Sequence, residues 1–282
     1  MLAPMSDPKT RLAAALSERF GETFEIPATA GLETLAGMAD HRTMRAYAAK
    51  PVPDGLVRLL CAVALSAPTK SDLQQADILV VADEGLRAKL DEFCGENPWV
   101  KAAPVFLVFL ANNRRQRRVH ALRGHAFAND HVDAFFNAAV DAGIALAAFV
   151  TAAEAAGLGT CPISAIRNRA ADVSALLGLP DHVFPVAGLC VGWPAHPGGI
   201  SPRLPTSLRV HRDRYDEGDL DAAIAAYDTR RNRTRPYAKP RDPARFGTVA
   251  DYGWSEDKAR QYAAPERPDF GAYIRAIGFR LD

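Results

Sequence analysis

The chain has 282 residues, of which 48% are hydrophobic and 24% are charged, and its formal net charge is +1. This length and composition are typical of a folded globular protein, and a net charge near zero argues against binding of nucleic acid through overall charge. The longest apolar helical pattern, at 133–157, contains Asp133, Asn137, Asp141 and Glu154. Because a bilayer does not tolerate that polarity, we predict no membrane-spanning helix.

The cysteines and the N-terminus indicate a reducing compartment. Four cysteines, Cys61, Cys94, Cys161 and Cys190, are far apart and form no CxxC pattern, so buried reduced thiols are favoured over disulfides or a zinc site. The first residues, MLAPMSDPKTR, lack the basic start and apolar run of a secretory signal. We therefore expect a cytoplasmic protein without a metal site.

The first part of the chain is predicted to contain both helices and strands. Its predicted elements are short helices over 9–21 and 31–40, a helix over 55–67 capped by Asp54 and ended by Pro68, an extended run from Leu73 into a strand at 76–83, a helix from Glu84 to Cys94, and a second strand at 104–112. Because the run at 104–112 is apolar on both faces, we place it in the middle of a sheet.

The second part begins with a basic segment, 113–128, that we predict to be irregular. The elements predicted after it are a long helix over 131–157 ended by Gly157 and Gly159, an extended piece at 160–164, a helix over 168–178 and a strand at 183–193. The long helix is apolar on more than one face, which predicts burial inside the protein or between two subunits. The segment 229–246, rich in Arg, Lys and Pro, is predicted to be an exposed arm or loop. No Gly-rich phosphate loop follows the first strand, which argues against a Rossmann unit.

Two early polar segments could bind a ligand, although spacing alone favours ordinary structure as the explanation of each. In the first, His41-Arg42-Thr43-Met44-Arg45, the two arginines are three residues apart and could share one face of a helical turn, where guanidinium groups suit a phosphate. The alternative is a solvated basic turn. In the second, Thr69 and its neighbours follow Pro68 and offer hydroxyl and backbone hydrogen bonds, unless this is only a helix-to-strand turn.

Three later segments have the same ambiguity. Asn97 and Trp99 could flank a planar ligand, or could anchor a surface turn. Ser164 and Ala165 precede a helix whose free backbone N–H groups could reach a ligand, or Ser164 could simply cap that helix. Arg203, between Pro202 and Pro205, could clamp an anion, or could be a surface arginine in a stiff loop.

In order and spacing, these segments resemble the nitroreductase family, and within it the NADPH-dependent nitroreductase and flavin reductase branch. The motifs that carry the resemblance are HRTMRAY at 41–47, the small-hydroxyl loop with Gln at 68–74, ENPWVKAAPVFLVF at 96–109, AAEAAGLGTCPISAIRN at 152–168, LLGLPDHVFPVAGLCVGWP at 176–194 and SPRLP at 201–205. They cover about 41–215. The resemblance implies an α+β fold, with a mixed central sheet flanked by helices, in an intertwined homodimer that binds two FMN molecules at its interface. The corresponding domain organisation is an N-terminal helical extension (1–40), an FMN-binding core (41–215) and a partly arm-like C-terminal extension (216–282).

The resemblance also implies the roles of the candidate residues. The residues that would contact FMN are His41, Arg42, Thr43 and Arg45 at the phosphate and ribityl chain, Thr69 at the pyrimidine side, Asn97 and Trp99 at the flavin, Pro162, Ile163, Ser164 and Ala165 along the flavin edge, and Arg203 at the phosphate. No side chain is expected to be catalytic, because the flavin carries the chemistry.

The chain departs from the family pattern at several of these positions. Thr43 replaces the usual serine but keeps the hydroxyl, and Ser164-Ala165 stand where the branch often has Gly-Gly, which predicts a tighter approach to the flavin. Ser201 stands where the related branch has lysine, so Lys70 or an arginine of the tail would have to compensate.

The basic segment 229–246 does not match the motifs. Because the C-terminal region of the branch helps to bind NADPH, Arg230, Arg231 and Arg233 are candidates for its 2′-phosphate.

The resemblance implies an FMN-dependent enzyme that uses NADPH or NADH to reduce a nitroaromatic, quinone or flavin acceptor by a ping-pong hydride mechanism. The altered Ser164-Ala165 and Ser201 motivate an alternative, in which the same fold performs other flavin chemistry: dehalogenation, dehydrogenation or flavin fragmentation. A module that binds an anionic partner through the Arg-rich stretches 114–123 and 230–245 is disfavoured by the near-zero net charge. We expect a small-molecule substrate and no nucleic-acid or membrane partner.

Overall fold

The computed structural model describes residues 7–95 and 97–282. It divides into two compact units. The helical unit comprises Met1–Arg42 and Gly199–Glu266, and the sheet unit comprises Thr43–Gly198 and Arg267–Asp282. The candidate residues are therefore divided between two units, each of which is described by itself below.

The helices and strands alternate as the sequence predicts. In chain order the elements are α1 (Pro8–Phe20), α2 (Leu32–Ala39), α3 (Asp54–Leu65), β1 (Ala76–Val80), α4 (Glu84–Phe93), α5 (Pro98–Ala102), β2 (Val105–Asn112), α6 (Arg114–Arg123), α7 (Val132–Ala155), β3 (Gly159–Ile163), α8 (Ala170–Leu177), β4 (Val183–Gly192), α9 (Leu220–Thr234), α10 (Pro243–Phe246), α11 (Trp254–Gln261) and α12 (Phe270–Ala276). Short 3-10 helices occur at Lys70–Asp72, Ser164–Arg167 and Thr206–Leu208.

The four strands form one sheet in the order β1-β2-β4-β3, and each neighbouring pair is antiparallel. Strand β2 lies between β1 and β4, which confirms the interior position predicted from its apolar faces. The parallel element of the predicted mixed sheet is limited, among the described residues, to an isolated bridge between Thr43 and Thr160. That bridge attaches the HRTMRAY segment to the edge strand β3.

Helix α7 has two different faces. One face is buried and consists mainly of alanines, with Ala138, Ala142 and Phe149 fully buried, and it packs in the sheet unit together with α3 and β2. On the opposite side Phe136 is 60% exposed and Val140 is 39% exposed. The prediction of a helix apolar on more than one face is confirmed, but a single chain buries only one of those faces.

By length and composition alone, α7 could also cross a membrane. However, Asp141 on its buried face is 2% exposed and accepts hydrogen bonds from the backbone N–H groups of Lys70 and Gln75. These bonds tie α7 into the core of the sheet unit.

Two segments that we predicted to be irregular contain helices. Within 113–128, Arg114–Arg123 forms α6, which ends at Gly124 in the left-handed conformation (φ 69°). Within 229–246, α9 continues to Thr234 and α10 covers Pro243–Phe246. The prediction was wrong because α6 and α9 lack an apolar stripe, whereas arginine, alanine and leucine favour a helix without one.

Several element boundaries also differ from the prediction. Pro53 occupies the N-cap position of α3 and Asp54 is its first residue, and α3 ends at Leu65. The extended run predicted from Leu73 is interrupted by Gln74, which has a positive φ of 52°. Gly159 belongs to β3 instead of ending α7, and a Cβ atom there would lie 2.5 Å from Cγ of Met44. Glycine at this position therefore permits the close approach of the HRTMRAY segment.

All four cysteines are free; Cys94, Cys161 and Cys190 are buried in the sheet unit as predicted, whereas Cys61 is only half-buried. Cys161 and Cys190 lie opposite each other on β3 and β4. Burial raises the pKa of Cys94 to about 12 and also raises the pKa values of Cys161 and Cys190.

Candidate functional site

One group of candidate residues meets at the edge of the sheet unit, where the HRTMRAY segment pairs with β3. The backbone N–H of Met44 donates to the carbonyl oxygen of Thr160 at 2.8 Å, and Thr43 forms the bridge to the same residue. The Arg45 guanidinium lies 5.3 Å from the centroid of the Trp99 ring. Its positive charge also acts on the Cys161 thiol, where it opposes the larger rise in pKa caused by burial. We call Thr43, Arg45, Trp99 and the end of β3 the β3-edge cluster.

The end of β3 leads directly into the segment predicted to follow the flavin edge. Pro162 is exposed and Ile163 is buried, and the 3-10 helix Ser164–Arg167 begins at the next residue. Its N-cap position is occupied by Ile163, so the alternative that Ser164 serves only as the cap is wrong. The backbone N–H groups at such a helix start have no acceptor within the helix, which leaves this end suited to a polar ligand edge.

The β3-edge cluster contains one buried donor without a partner among the described residues, next to an exposed guanidinium. The indole Nε1 of Trp99 is buried and has no hydrogen-bond partner in the described part of the chain. Arg45 forms no ion pair with any carboxylate among residues 7–95 and 97–282. A buried donor on a flat ring, next to an unpaired guanidinium, suits a ligand with a planar ring system and a phosphate, so these residues fit FMN.

Asn97 is less available than predicted. It occupies the N-cap position of α5, but its side chain does not cap that helix. Instead the Asn97 Nδ2 donates to the carbonyl oxygen of Cys94 at 2.7 Å. Any contact between Asn97 and a flavin would therefore have to use its side-chain oxygen or its backbone.

Thr69 lies in a different part of the sheet unit, in a strained loop. Three non-glycine residues of this loop have positive φ values: Ser71 at 48°, Asp72 at 55° and Gln74 at 52°. Such conformations cost energy and are concentrated at functional sites. Thr69 lines a cavity of about 250 Å³ together with Gln74, Asp141 and other residues, but none of the β3-edge cluster lines it.

The remaining candidates, His41, Arg42 and Arg203, belong to the helical unit. Arg42 forms an ion pair with Asp40 at 2.6 Å, while its buried Nε has no hydrogen-bond partner in the described part of the chain. Arg203 is exposed, and among the described residues its Nη1 donates only to the carbonyl oxygen of Pro202. Residues 41–47 form no helix, so Arg42 and Arg45 do not share the helical face that their spacing suggested.

Ser201, which stands where the related branch has lysine, is contacted by the basic residue Arg235. The Arg235 Nη1 donates to the Ser201 Oγ at 2.9 Å and to the carbonyl oxygen of Gly199 at 3.2 Å. Of the two compensating groups that the sequence suggested, an arginine of the tail thus contacts Ser201, and Lys70 belongs to the sheet unit.

The three arginines predicted to bind the 2′-phosphate of NADPH differ in their surroundings. Arg230 donates to the backbone oxygens of Arg19 and Arg203, so it is committed to internal bonds. The Arg231 guanidinium stacks 4.1 Å from the Tyr237 ring centroid. Arg233 is exposed and, within the described residues, its side chain has no hydrogen bond or ion pair. Arg233 is therefore the member of this set that is available to an anion.

Sequence reasoning missed three residues that the structure makes prominent: Arg19, Asp141 and Arg235. Arg19 and Asp141 are buried polar residues whose partners lie far away in sequence, and Arg235 was one of many tail arginines. A charged residue inside an apolar helical pattern, such as Asp141, was the one available signal, and it was used only to argue against a membrane span.

Comparison with known proteins identifies the class, an oxidoreductase, and then the family. The model of the nitroreductase family matches residues 38–193, and that of the nitroreductase family C-terminal domain matches residues 201–282. The chain is 32% identical to the FMN reductase [NAD(P)H] of Bacillus subtilis over 253 residues, and this alignment covers 89% of this chain and 99% of that protein. It is 32% identical over 250 residues to the NADPH-flavin oxidoreductase of Vibrio harveyi, covering 87% of this chain and 97% of that protein.

Among solved structures, NfrA2 of B. megaterium superposes with a TM-score of 0.80 at 33% identity, covering 88% of this chain and 98% of that one. The chain belongs to the nitroreductase family. This confirms the family predicted from the motifs, and the match extends to residue 282, beyond the 41–215 that the motifs covered.

Proposed function

We propose that this chain is an FMN-dependent oxidoreductase that takes hydride from NADPH or NADH and passes the electrons to a nitroaromatic, quinone or flavin acceptor in a ping-pong cycle. Membership of the nitroreductase family supports the enzyme class, and the relatives named above support the use of FMN and NAD(P)H. The observation that carries the proposal is the β3-edge cluster, where an unpaired guanidinium and a buried indole N–H meet a helix start.

In this proposal the residues bind and orient the cofactor, which itself supplies the hydride and electron transfer when bound. Thr43 and Arg45 would bind the phosphate and ribityl chain, and the resemblance to the family gives His41, Arg42 and Arg203 a role at the phosphate as well. Thr69 contacts the pyrimidine side and Asn97 the flavin. The Trp99 Nε1 would donate to a flavin acceptor, and the backbone of the segment from Pro162 to Ala165 would follow the flavin edge. Hydrogen bonds of this kind stabilise negative charge on a reduced ring, and no side chain has to act as an acid or a base.

An alternative within the same fold is dehalogenation, dehydrogenation or flavin fragmentation. It is favoured by Ser164, the first residue of the 3-10 helix, whose hydroxyl has no hydrogen-bond partner among the described residues. A hydroxyl at this position adds a donor beside the flavin edge that the Gly-Gly of the branch lacks.

The two activities are separated by an anaerobic titration of the purified yellow protein, followed by its absorbance near the flavin maximum. We expect NADPH or NADH to bleach the flavin stoichiometrically, and a quinone or nitroarene to restore the colour. Colour that persists in excess NADPH and NADH would favour the alternative chemistry. A colourless protein that takes up no FMN would contradict both.

The proposed enzyme works as a homodimer in the cytoplasm, without a membrane or nucleic-acid partner. The exposed apolar side of α7, with Val132, Phe136 and Val140, supports the dimer because a helix of this composition is normally covered on both faces. We propose that a second copy of the chain covers this side of α7.

Replacing Phe136 with aspartate should therefore break the dimer. A charge at a buried contact costs far more than the lost apolar area, so we expect the dimer dissociation constant to rise at least about a hundredfold. Sedimentation or light scattering measures this change, and flavin should be lost with the dimer. Val210→Asp is the matched control, since Val210 is 74% exposed in the helical unit. If the Phe136→Asp protein remains dimeric, the exposed side of α7 is not part of the dimer interface.

A further inference from the structure

Helix α1 lies outside the two family models, which cover 38–193 and 201–282. Its last turn nevertheless contains Arg19, a charged residue that is only 8% exposed. A guanidinium is almost never buried without several acceptors, because its five N–H groups lose their water. The partners of Arg19 therefore indicate what α1 does in the helical unit.

The Arg19 guanidinium binds backbone carbonyl groups on two segments that are far apart in sequence. Its Nη2 donates to the carbonyl oxygens of Ala39 at 2.9 Å and His41 at 2.7 Å. Its Nη1 donates to the carbonyl oxygen of Ser201 at 3.2 Å. One planar group thus fixes the residues around His41 and the residue two positions before Arg203, and both segments carry proposed phosphate ligands.

The backbone of the same turn binds the second segment directly. The N–H of Arg203 donates to the carbonyl oxygen of Arg19 at 2.7 Å, and the guanidinium of Arg230 bridges the carbonyl oxygens of Arg19 and Arg203. Both the backbone N–H and the carbonyl oxygen of Arg203 are therefore hydrogen-bonded, while its side chain stays exposed.

The residues after α1 extend this connection. The carboxylate of Glu22 accepts from the backbone N–H of Thr206 at 3.1 Å and from its hydroxyl at 2.6 Å. The intervening Gly21 has a φ of 71°, and a Cβ atom there would lie 2.5 Å from the Cδ of Arg230. Glycine is thus required both for the turn and for the approach of Arg230.

We propose that α1, acting through Arg19, is a positioning element for the flavin phosphate: it holds His41 and Arg203 in the geometry that binds the phosphate. This inference rests on the proposed function, since it takes these two residues as phosphate ligands. Arg19 itself contacts backbone, so it acts through them. Lysine could not replace it fully, because an ammonium group lacks the fork that reaches three carbonyls at once.

The test compares FMN with riboflavin, which has the same ring system but no phosphate. Dissociation constants are measured by flavin fluorescence on apoprotein of the full chain. For Arg19→Met we expect the FMN dissociation constant to rise roughly tenfold or more, as misplaced binding groups commonly cause, while that of riboflavin stays within about twofold. The FMN dissociation constant of Arg19→Lys should lie between those of the wild type and Arg19→Met. If the methionine variant does not fold, Arg19→Lys serves for the same comparison of FMN with riboflavin.

Arg11→Ala is the matched control, because it removes the same charge from the same helix but breaks only a surface ion pair with Glu33. It should leave both dissociation constants unchanged. An Arg19 variant that binds FMN as tightly as the wild type, or that weakens FMN and riboflavin equally, overturns the positioning role.

Arg203→Ala separates this inference from the proposed function. If Arg203→Ala weakens the binding of FMN and riboflavin equally, that result counts against Arg203 as a phosphate ligand. If Arg19→Met still weakens FMN more than riboflavin, that result supports positioning through His41. If Arg203→Ala weakens FMN more than riboflavin and Arg19→Met weakens both equally, Arg203 is supported as a phosphate ligand and the role of α1 is refuted. In the double variant, the effects on FMN should be less than additive if Arg19 acts through Arg203.

Discussion

Replacing Asp141 with alanine is expected to destabilise the protein by about 3 kcal/mol, because the change leaves two backbone N–H groups without their acceptor. These groups belong to Lys70 and Gln75, at either end of the loop whose residues adopt positive φ values. Urea unfolding at equilibrium measures the loss. Asp141→Asn keeps one acceptor oxygen and should lose about half as much. Amide hydrogen exchange in the loop should also accelerate.

Asp133 provides the control on the same helix. Its carboxylate is exposed and accepts from the Asn137 side chain, one turn further along α7. Asp133→Asn should change stability by less than about 1 kcal/mol, as exposed helix-end charges usually do. If Asp133→Asn destabilises the protein as much as Asp141→Asn does, loss of negative charge on α7 causes the destabilisation, and loss of the hydrogen bonds to the loop does not.

Replacing Arg45 with alanine is expected to raise the FMN dissociation constant about a hundredfold, since a charge-assisted bond to phosphate contributes up to about 3 kcal/mol. The reason is that Arg45 is the guanidinium of the β3-edge cluster, lying over Trp99 without a carboxylate partner in the described part of the chain. Fluorescence titration of the apoprotein with FMN measures the effect. Arg45→Lys retains the charge but loses the fork and the stacking, so it should bind about tenfold more weakly than the wild type.

Arg58 on α3 offers a matched control for Arg45. It is exposed, and within residues 7–95 and 97–282 it forms no ion pair. Arg58→Ala should bind FMN as the wild type does. An Arg45→Ala protein that retains full FMN affinity would exclude Arg45 from the phosphate site.

The sequence predicted those elements whose hydrophobic pattern is strong. The interior strand β2 and the long helix α7 followed from apolar runs, since such runs can be buried in few ways. Helices α6 and α9 were not predicted as helices because their stability does not depend on an apolar face. The candidate site was predicted by family resemblance, since no single motif was specific.

What the sequence did not reveal were contacts between residues far apart in the chain. Asp141 accepts from Lys70, 71 positions earlier, and Arg19 reaches the carbonyl group of Ser201, 182 positions later. Neither spacing follows from a local pattern, and both partners are backbone groups that any residue could supply. Buried polar side chains of this kind become meaningful only when the fold shows where their hydrogen bonds go.

The buried thiols have a consequence for an enzyme proposed to reduce quinones. Quinones alkylate sulfur through the deprotonated thiolate, and proteins lose activity when such adducts form in their interior. With their pKa values raised by burial, Cys94, Cys161 and Cys190 stay protonated at neutral pH. Cys161, on the strand that forms the β3-edge cluster, is thus held in its less nucleophilic thiol form, which slows covalent attack on an electrophilic acceptor.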